Sequence, residues 1–151
     1  MKLVELDIPE FSHSINQPEI NNEIYENRLK RFKKDLRDND FGSAVIYADR
    51  EHFANMHFLS NFDPRFEEAL LIINTEDDDI LITGPENQGY SNISKIKLNK
   101  INYPTLGLLS QDRSKKIDIF EILKKNIKNQ NKKIGIVGWK YFTKGEFDDP
   151  K

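Results

Sequence analysis

The sequence predicts an α/β fold of three layers, α/β/α, in which helices cover both faces of a mixed five or six stranded sheet. Short apolar runs typical of buried strands alternate along the chain with segments of helical periodicity. Two of these runs, residues 70–73 and 80–82, are separated only by the polar residues 74–79. A connection this short predicts a hairpin, and the antiparallel pairing of a hairpin excludes a purely parallel sheet.

The composition fits one domain over residues 1–151. Hydrophobic residues make up 37% of the chain, which suits a single core. Charged residues make up 32% and the formal net charge is −2, a balance that does not favour binding to nucleic acid or to an anionic membrane. The absence of cysteine excludes disulfides and thiol chemistry. Because no apolar run approaches a membrane span and the first residues lack a signal-peptide core, we expect a cytoplasmic protein.

The first elements are a lead-in and a long helix. Residues 1–6 could form a short strand or an arm. From Glu19 to about Asn39, apolar residues recur at steps of three and four, which predicts an amphipathic helix. Gly42 is the expected turn residue before the first strand, because glycine tolerates positive φ. The predicted apolar face of the helix consists of Ile20, Ile24, Tyr25, Leu29, Phe32 and Leu36.

The first strand leads into a turn and a loop. Residues 44–48 form an apolar run, as expected for a strand that is covered on both faces. Asp49 is expected to cap a short helix over residues 50–55, because an aspartate oxygen can accept from free backbone N–H groups. A loop follows over residues 62–66, where Pro64 restricts the backbone and fixes the direction of the neighbouring side chains.

The second half of the chain predicts two more strands and two helices. Residues 86–94 predict a short helix, and residues 96–103 predict a strand near the sheet edge because lysine and asparagine interrupt its apolar residues. After a loop, a helix capped by Asp112 or Ser114 should continue to about Asn129. Residues 134–137 are expected to form the fifth core strand. The predicted buried side of the last helix consists of Ile117, Phe120, Leu123 and Ile127.

The charged and histidine residues do not predict a catalytic or metal centre. His52 and His57 are five positions apart, a spacing that does not fit a helical metal pair. The acidic run 76–79 lacks the glycine and the ligand spacing of a calcium loop, so we interpret it as a solvated turn. Glu67 and Glu68 are adjacent and would point to opposite faces of a strand, which prevents them from acting as a catalytic pair.

Residues 47–71 carry a family resemblance. The segments YADREH, AN, FL and NFDPRFEEALL in this region resemble the N-terminal domain of the creatinase, prolidase and Xaa-Pro aminopeptidase family. Looser matches at residues 81–86, Tyr90 and residues 134–142 extend the resemblance over most of the chain. The resemblance implies a ribonuclease H-like fold and one N-terminal-like domain. The larger pita-bread metallopeptidase domain of the family has no match here, so we expect the catalytic C-terminal domain to be absent.

The resemblance implies a non-catalytic part of a metal-dependent Xaa-Pro hydrolase. In the family, the C-terminal domain holds two divalent ions, Mn, Co or Zn, which activate water, so this chain inherits no catalytic residue, metal ligand or cofactor. The N-terminal domain contributes to dimer contacts and frames the substrate cleft. We therefore expect a parent protein that is a homodimer and acts on proline-containing peptides. The alternatives are creatinase-like amidine hydrolysis by the parent, a free-standing binding or assembly module, and a self-sufficient enzyme.

The resemblance places a candidate cleft or interface loop between the two apolar runs. Arg65 could donate two hydrogen bonds to a substrate carboxylate or to an acid of a partner. The two phenylalanines could form an apolar wall. In the structural alternative, Arg65 pairs with Asp63 or Glu67 and the phenylalanines cap the core. The candidate loop residues are Phe62, Asp63, Arg65 and Phe66.

Three further residues are candidate supports of this loop: Asp49, His52 and Asn55. The turn that leads into the loop departs from the family. Ser60 and Asn61 stand where many relatives have threonine and glycine. Because a glycine is lost at this turn, the shape of the loop is an open question at the level of sequence.

Overall fold

The computed structural model describes residues 3–7, 9, 18–109, 112, 114 and 118–138. The helices are α1 (Asn22–Asp38), α2 (Ala54–Ser60), α3 (Asn87–Tyr90) and α4 (Ile119–Asn126), with short 3₁₀ turns at Ser91–Ile93 and Pro104–Leu106. The strands are β1 (Phe41–Ala48), β2 (Ala69–Asn74), β3 (Ile80–Thr83), β4 (Asn99–Asn102) and β5 (Lys133–Val137). The described part of the chain therefore has the predicted α/β fold, with five strands.

The strands form one mixed sheet in the order β4-β3-β2-β1-β5. Strand β2 pairs antiparallel with β1 and with β3, which confirms the predicted hairpin. Strand β4 pairs parallel with β3, and β5 pairs parallel with β1. The fifth strand is present where it was predicted, at residues 134–137. Among the described strands, however, β4 and β5 lie at the edges of the sheet, so its predicted position in the core was wrong. A short apolar run does not distinguish a central strand from an edge strand, and Ile136 is 71% exposed.

Helices pack on both faces of the sheet because alternate residues of β1 point in opposite directions. On one face Ala44, Ile46 and Ala48 join a core with residues of α1 and α2. On the other face Val45 packs against a second core. The second core contains Ile72, Ile80 and Ile82 from the sheet and Ile122 and Ile127 from α4 and its end.

Helix α1 forms close to where the periodicity predicts it. Its N-cap Asn21 accepts a hydrogen bond from the Ile24 N–H at 3.2 Å, so the helix begins later than Glu19. The expected role of Gly42 was wrong, because the positive φ before β1 belongs to Asp40, at 62°. Gly42 lies within β1, where a Cβ would come within 2.6 Å of the Asn129 carbonyl oxygen.

The N-terminal arm and the start of α1 are more exposed than the rest of the fold. Residues 3–7 form no strand, and Leu3 is fully exposed, so the described part of this segment fits the arm rather than the strand. At the start of α1, Ile20 is 40% exposed and Ile24 is 42% exposed. The buried face of the helix begins at Tyr25, which is 2% exposed.

The predicted helix over residues 50–55 was wrong. Asp49 accepts hydrogen bonds from the backbone N–H groups of Glu51 at 2.8 Å and His52 at 2.7 Å. These bonds form a turn instead of a helix start, because an aspartate side chain competes with helical hydrogen bonding. Helix α2 begins only at Ala54, and no side-chain hydrogen bond caps it.

Helix α4 is shorter than predicted, and its buried face is not the one that the sequence predicted. Asp118 is the N-cap and accepts from the Phe120 N–H at 2.9 Å, whereas Asp112 accepts from the Ser114 N–H at 2.8 Å in a local turn. Phe120 is 73% exposed and Ile122 is buried, so the predicted burial of Phe120 was wrong. The predicted stripe counted from Ile117, which lies outside the described residues.

Candidate functional site

The candidate loop joins α2 to β2 at the end of the sheet where β1 stops. Asn61 opens the loop in the left-handed conformation, with φ 65° and ψ 6°. Asparagine tolerates this conformation better than other non-glycine residues do. The Asn61 side chain also donates to the Ile93 carbonyl at 3.1 Å and accepts from the Tyr25 hydroxyl at 3.0 Å. The turn therefore keeps its left-handed shape without glycine.

Phe62 anchors the loop in the core. Its side chain is fully buried, and its ring centroid lies 5.9 Å from that of Tyr90. The Phe62 N–H donates to the Ser60 hydroxyl oxygen at 3.2 Å, and that hydroxyl donates to the Met56 carbonyl at 2.8 Å. These contacts fix Phe62 as an internal residue at the base of the loop.

Glu67 anchors the other end of the loop. It is 3% exposed, and its carboxylate accepts from the N–H groups of Glu86 at 3.2 Å and Asn87 at 3.0 Å. These donors lie at the start of α3, where backbone N–H groups lack helical partners. The Asn87 side-chain amide in turn donates to the Pro64 carbonyl. The loop is therefore tied to α3 by both a carboxylate and an amide.

Two glycines make room for the Glu67 carboxylate. A Cβ on Gly84 would come within 2.2 Å of Glu67 Oε1, and a Cβ on Gly107 would come within 3.1 Å of the same oxygen. Sequence reasoning considered Glu67 as an ion-pair partner of Arg65 and excluded a catalytic pair with Glu68, and it missed this role. The signal is weak in the sequence, because the donors lie about twenty residues away and no local motif links them.

Arg65 is held over Tyr90 and remains partly open to solvent. Its Nε donates to the Tyr90 hydroxyl at 3.0 Å and lies 3.4 Å from Asp63 Oδ1. Its Cζ lies 5.0 Å from the centroid of the Tyr90 ring. The hydrogen bond to Tyr90 raises the pKa of the Arg65 guanidinium further above its usual value. The Arg65 side chain is nevertheless 57% exposed.

The backbone at Arg65 supports this placement. Arg65 has a positive φ of 56°, which is unusual for a residue with a long side chain. The Asp63 carboxylate accepts from the Arg65 N–H at 3.2 Å and so closes a tight turn. The predicted pairing of Arg65 with Asp63 is present, whereas Glu67 binds the start of α3 instead.

Phe66 differs from Phe62 in its surroundings. Phe66 is 71% exposed, whereas Phe62 is fully buried. The structure therefore separates the two rings that were expected to share one wall. The exposed part of the loop consists of the neighbouring side chains of Arg65 and Phe66.

Asp49 and His52 organise the turn after β1. Asp49 Oδ2 accepts from the Tyr47 hydroxyl at 3.2 Å, and Asp49 Oδ1 lies 3.0 Å from His52 Nδ1. Partial burial opposes ionisation of Asp49, but the hydrogen bonds from His52, Glu51 and Tyr47 outweigh it and lower the pKa of Asp49. Burial and the nearby carboxylates raise the pKa of Tyr47.

Asn55 lies on a groove beside the end of β5. It lines this groove together with His52, Ala54, Ile136 and Gly138. His57, the other histidine considered in the sequence, contacts the Phe53 ring edge to face at 6.1 Å between centroids. The three candidate support residues therefore lie around the turn after β1 and the groove next to it.

The described residues do not assemble a metal centre. Within them, no group of three or more His, Cys, Asp or Glu side chains is placed to hold a metal ion. The two-metal site of the metallopeptidases therefore does not fit this part of the chain. In the same residues, no helix is both long and apolar enough to cross a membrane.

Comparisons with known proteins agree with the fold. The Creatinase/Prolidase N-terminal domain family model matches residues 28–145. A search of curated proteins finds no significant match. The Creatinase/Prolidase N-terminal domain of an X-Pro dipeptidase from Streptococcus pyogenes is 15% identical, with a TM-score of 0.53, and the alignment covers 81% of this chain and 83% of that chain.

Two further proteins are similar over smaller shares of their length. An Xaa-Pro aminopeptidase from Streptococcus pyogenes is 18% identical, with a TM-score of 0.46 and coverage of 55% of this chain and 59% of that chain. A prolidase from Thermococcus sibiricus is 14% identical, with a TM-score of 0.47 and coverage of 74% of this chain and 34% of that chain. Because the family model spans most of the sequence, from residue 28 to residue 145, this chain belongs to the creatinase/prolidase N-terminal domain family.

Proposed function

We propose that this domain is the non-catalytic N-terminal part of an Xaa-Pro aminopeptidase-like or prolidase-like metallopeptidase. It frames the substrate cleft and contributes to homodimer contacts. Bond cleavage belongs to a separate catalytic domain with two divalent ions, Mn, Co or Zn, that acts on proline-containing peptides in the cytoplasm. Support comes from membership of the family and from similar proteins that are described as Xaa-Pro peptidases.

The observation that carries this proposal is the exposed pair of Arg65 and Phe66 on an anchored loop. Phe62 and Glu67 fix the two ends of the loop, so the pair is displayed without a large loss of conformational freedom on binding. Arginine and aromatic side chains are enriched at the centres of interfaces. A guanidinium also matches the geometry of a carboxylate, such as a peptide C-terminus or an acidic side chain of a partner subunit.

The proposal is tested with Arg65→Gln in the protein that joins this domain to its catalytic domain. We expect KM for an Xaa-Pro peptide to rise about tenfold with little change in kcat, because a positioning contact to the substrate is lost. Steady-state kinetics measures both constants. Sedimentation of the same variant reports whether the dimer is weakened instead.

Arg31→Gln is the matched control, because Arg31 is an exposed arginine on α1. It should leave both kinetic constants and the dimer unchanged. An Arg65→Gln protein with the kinetics and sedimentation of the unmodified protein would remove the proposed role of the loop. Robust hydrolysis of Xaa-Pro peptides by the purified chain alone, with added Mn²⁺ or Co²⁺, would contradict the non-catalytic assignment.

A further inference from the structure

A pocket lies between α1, α2 and the neighbouring strands β1 and β5, on the face of the sheet opposite α4. Its volume is about 360 Å³, within the range of about 300–1,000 Å³ that is usual for small-ligand sites. More than half of its lining residues are apolar, including Phe32, Ile46, Leu59 and Val137. Ile46 is fully buried and Leu59 is 6% exposed, so these two side chains form the floor.

Arg28 presents an oriented guanidinium in this pocket. Its Nη1 donates to the Phe58 carbonyl at 2.9 Å. Its Cζ lies 4.2 Å from the centroid of the Phe58 ring and 5.0 Å from that of the Tyr25 ring. The two rings and the carbonyl hold the guanidinium, and a guanidinium has further N–H groups with which to bind an anion. Arg28 therefore loses little conformational freedom when it binds a carboxylate.

Asp35 brings the opposite charge to the same pocket. It follows Arg28 by seven residues on α1, so it lies on the same face of the helix about 10 Å farther along the axis. In the part of the chain that the structure describes, neither Arg28 nor Asp35 forms an ion pair. Arg31 also lines the pocket, but no described contact orients its guanidinium, and we assign it no contact with a ligand.

We propose that this pocket binds a short apolar peptide with free termini. The C-terminal carboxylate accepts hydrogen bonds from Arg28, and the N-terminal ammonium pairs with Asp35. The apolar side chains of the peptide lie over Ile46 and Leu59. An extended chain advances about 3.3–3.6 Å per residue, so about three residues match the separation of the two charges along α1.

A peptide fits the pocket better than two simpler classes of ligand do. A free amino acid carries its ammonium and its carboxylate on one carbon atom, so it cannot reach both charges of the pocket. An apolar carboxylic acid can bind Arg28, but it leaves the Asp35 carboxylate partly desolvated without a partner. The proposed site does not rest on the proposed function, because none of its residues belongs to the loop that carries Arg65 and Phe66.

The tripeptide Ala-Leu-Ala is a suitable probe, and an NMR titration of the full chain measures its binding. We expect saturable shifts of the Ile46 and Leu59 methyl signals. The N-acetylated tripeptide lacks the ammonium, and the C-terminal amide lacks the carboxylate. Each should bind about fivefold more weakly than the free tripeptide, because one charged contact is lost. This comparison needs no variant of the protein.

Two variants connect each end of the peptide to its residue. Arg28→Gln should weaken the free tripeptide about fivefold and leave the affinity of the C-terminal amide unchanged. Asp35→Asn should weaken the free tripeptide to a similar extent and leave the affinity of the N-acetylated form unchanged. Arg50→Gln is the matched control, because Arg50 is an exposed arginine outside the pocket. It should leave the affinity of all three peptides unchanged.

The opposite results are equally clear. Equal affinity for the free, acetylated and amidated peptides would overturn the proposal, and so would a titration that leaves the Ile46 and Leu59 signals in place. Octanoate that binds more tightly than the tripeptide would also overturn it, by showing that an apolar acid without an ammonium is the better ligand.

Discussion

Asn61 combines a left-handed backbone with two side-chain hydrogen bonds, a combination that glycine cannot provide. Its amide links α1, through Tyr25, to the turn around Ile93. The residue is therefore a junction between three segments as well as the start of the candidate loop. Two substitutions at this position can separate what the left-handed backbone and what the hydrogen bonds contribute to the stability of the fold.

We expect Asn61→Gly to lower the free energy of unfolding by about 1–3 kcal/mol, because it removes both hydrogen bonds but keeps the left-handed backbone. Asn61→Ala should cost about 1–2 kcal/mol more, because alanine is strained in that conformation. Urea unfolding measures both variants. An alanine variant as stable as the glycine variant would show that the left-handed conformation is not retained.

Asp49 provides a pH-dependent contribution to stability. Its pKa is lowered in the folded protein, so its ionised form stabilises the fold above the ordinary value of 3.8. This stabilisation is lost as pH falls through the lowered pKa. Unfolding curves at several pH values should show Asp49→Asn to be less stable than the unmodified protein at neutral pH, with the difference disappearing in acid.

Asp79 serves as a control, because its pKa is shifted in the opposite direction to that of Asp49. Burial raises its pKa, and this effect outweighs its ion pair with Lys33 at 2.9 Å. For a raised carboxyl pKa, the folded state holds the proton more tightly, so the contribution of Asp79 to stability falls as pH rises through the interval above 3.8. Asp79→Asn should therefore show the reverse trend. A difference for Asp49→Asn that is constant with pH would contradict the assigned pKa.

At the scale of elements, the sequence pattern correctly predicted those helices, strands and loops whose formation depends on nearby residues. Helix α1 and the β2–β3 hairpin follow from apolar spacing and from a short polar connection, and both are present. The loop between Phe62 and Phe66 also lies where its proline and charged residues indicated. These features need no knowledge of distant contacts.

The predictions that were wrong or incomplete concern features that depend on competition between local hydrogen bonds or on residues far away in the sequence. Asp49 forms a local turn in preference to a helix cap, and sequence alone does not decide between the two. The face of α4 depends on where the helix begins, and Asp118 competes as a cap with two other polar residues. The burial of Glu67 depends on α3 and on two glycines far along the chain.

At the scale of the whole molecule, one buried amide joins elements from both ends of the chain. Asn74 is fully buried at the end of β2. Its oxygen accepts from the Ser43 hydroxyl at 2.7 Å and from the Lys128 N–H at 3.0 Å. Its nitrogen donates to the carbonyls of Asp78 at 2.9 Å and Asn126 at 3.0 Å. Asn74 therefore links β1, the hairpin and the end of α4.

We expect Asn74→Ala to lower the free energy of unfolding by about 3 kcal/mol or more, because several buried polar groups lose their partner at once. Asn102→Ala is the control, because Asn102 is exposed on the edge strand β4. Its effect should stay within about 0.5 kcal/mol. Denaturant unfolding with a constant m-value measures the difference. Equal losses for the two variants would show that the buried amide does not connect these elements.

The parallel pairing of β1 with β5 has a consequence for the order in which the fold is completed. β1 finds its antiparallel neighbour β2 within a short stretch of chain, but its other neighbour is β5, which begins only at Lys133. During synthesis, one side of β1 must wait until β5 has emerged. Throughout that interval β1, an interior strand of the finished sheet, is itself an open edge.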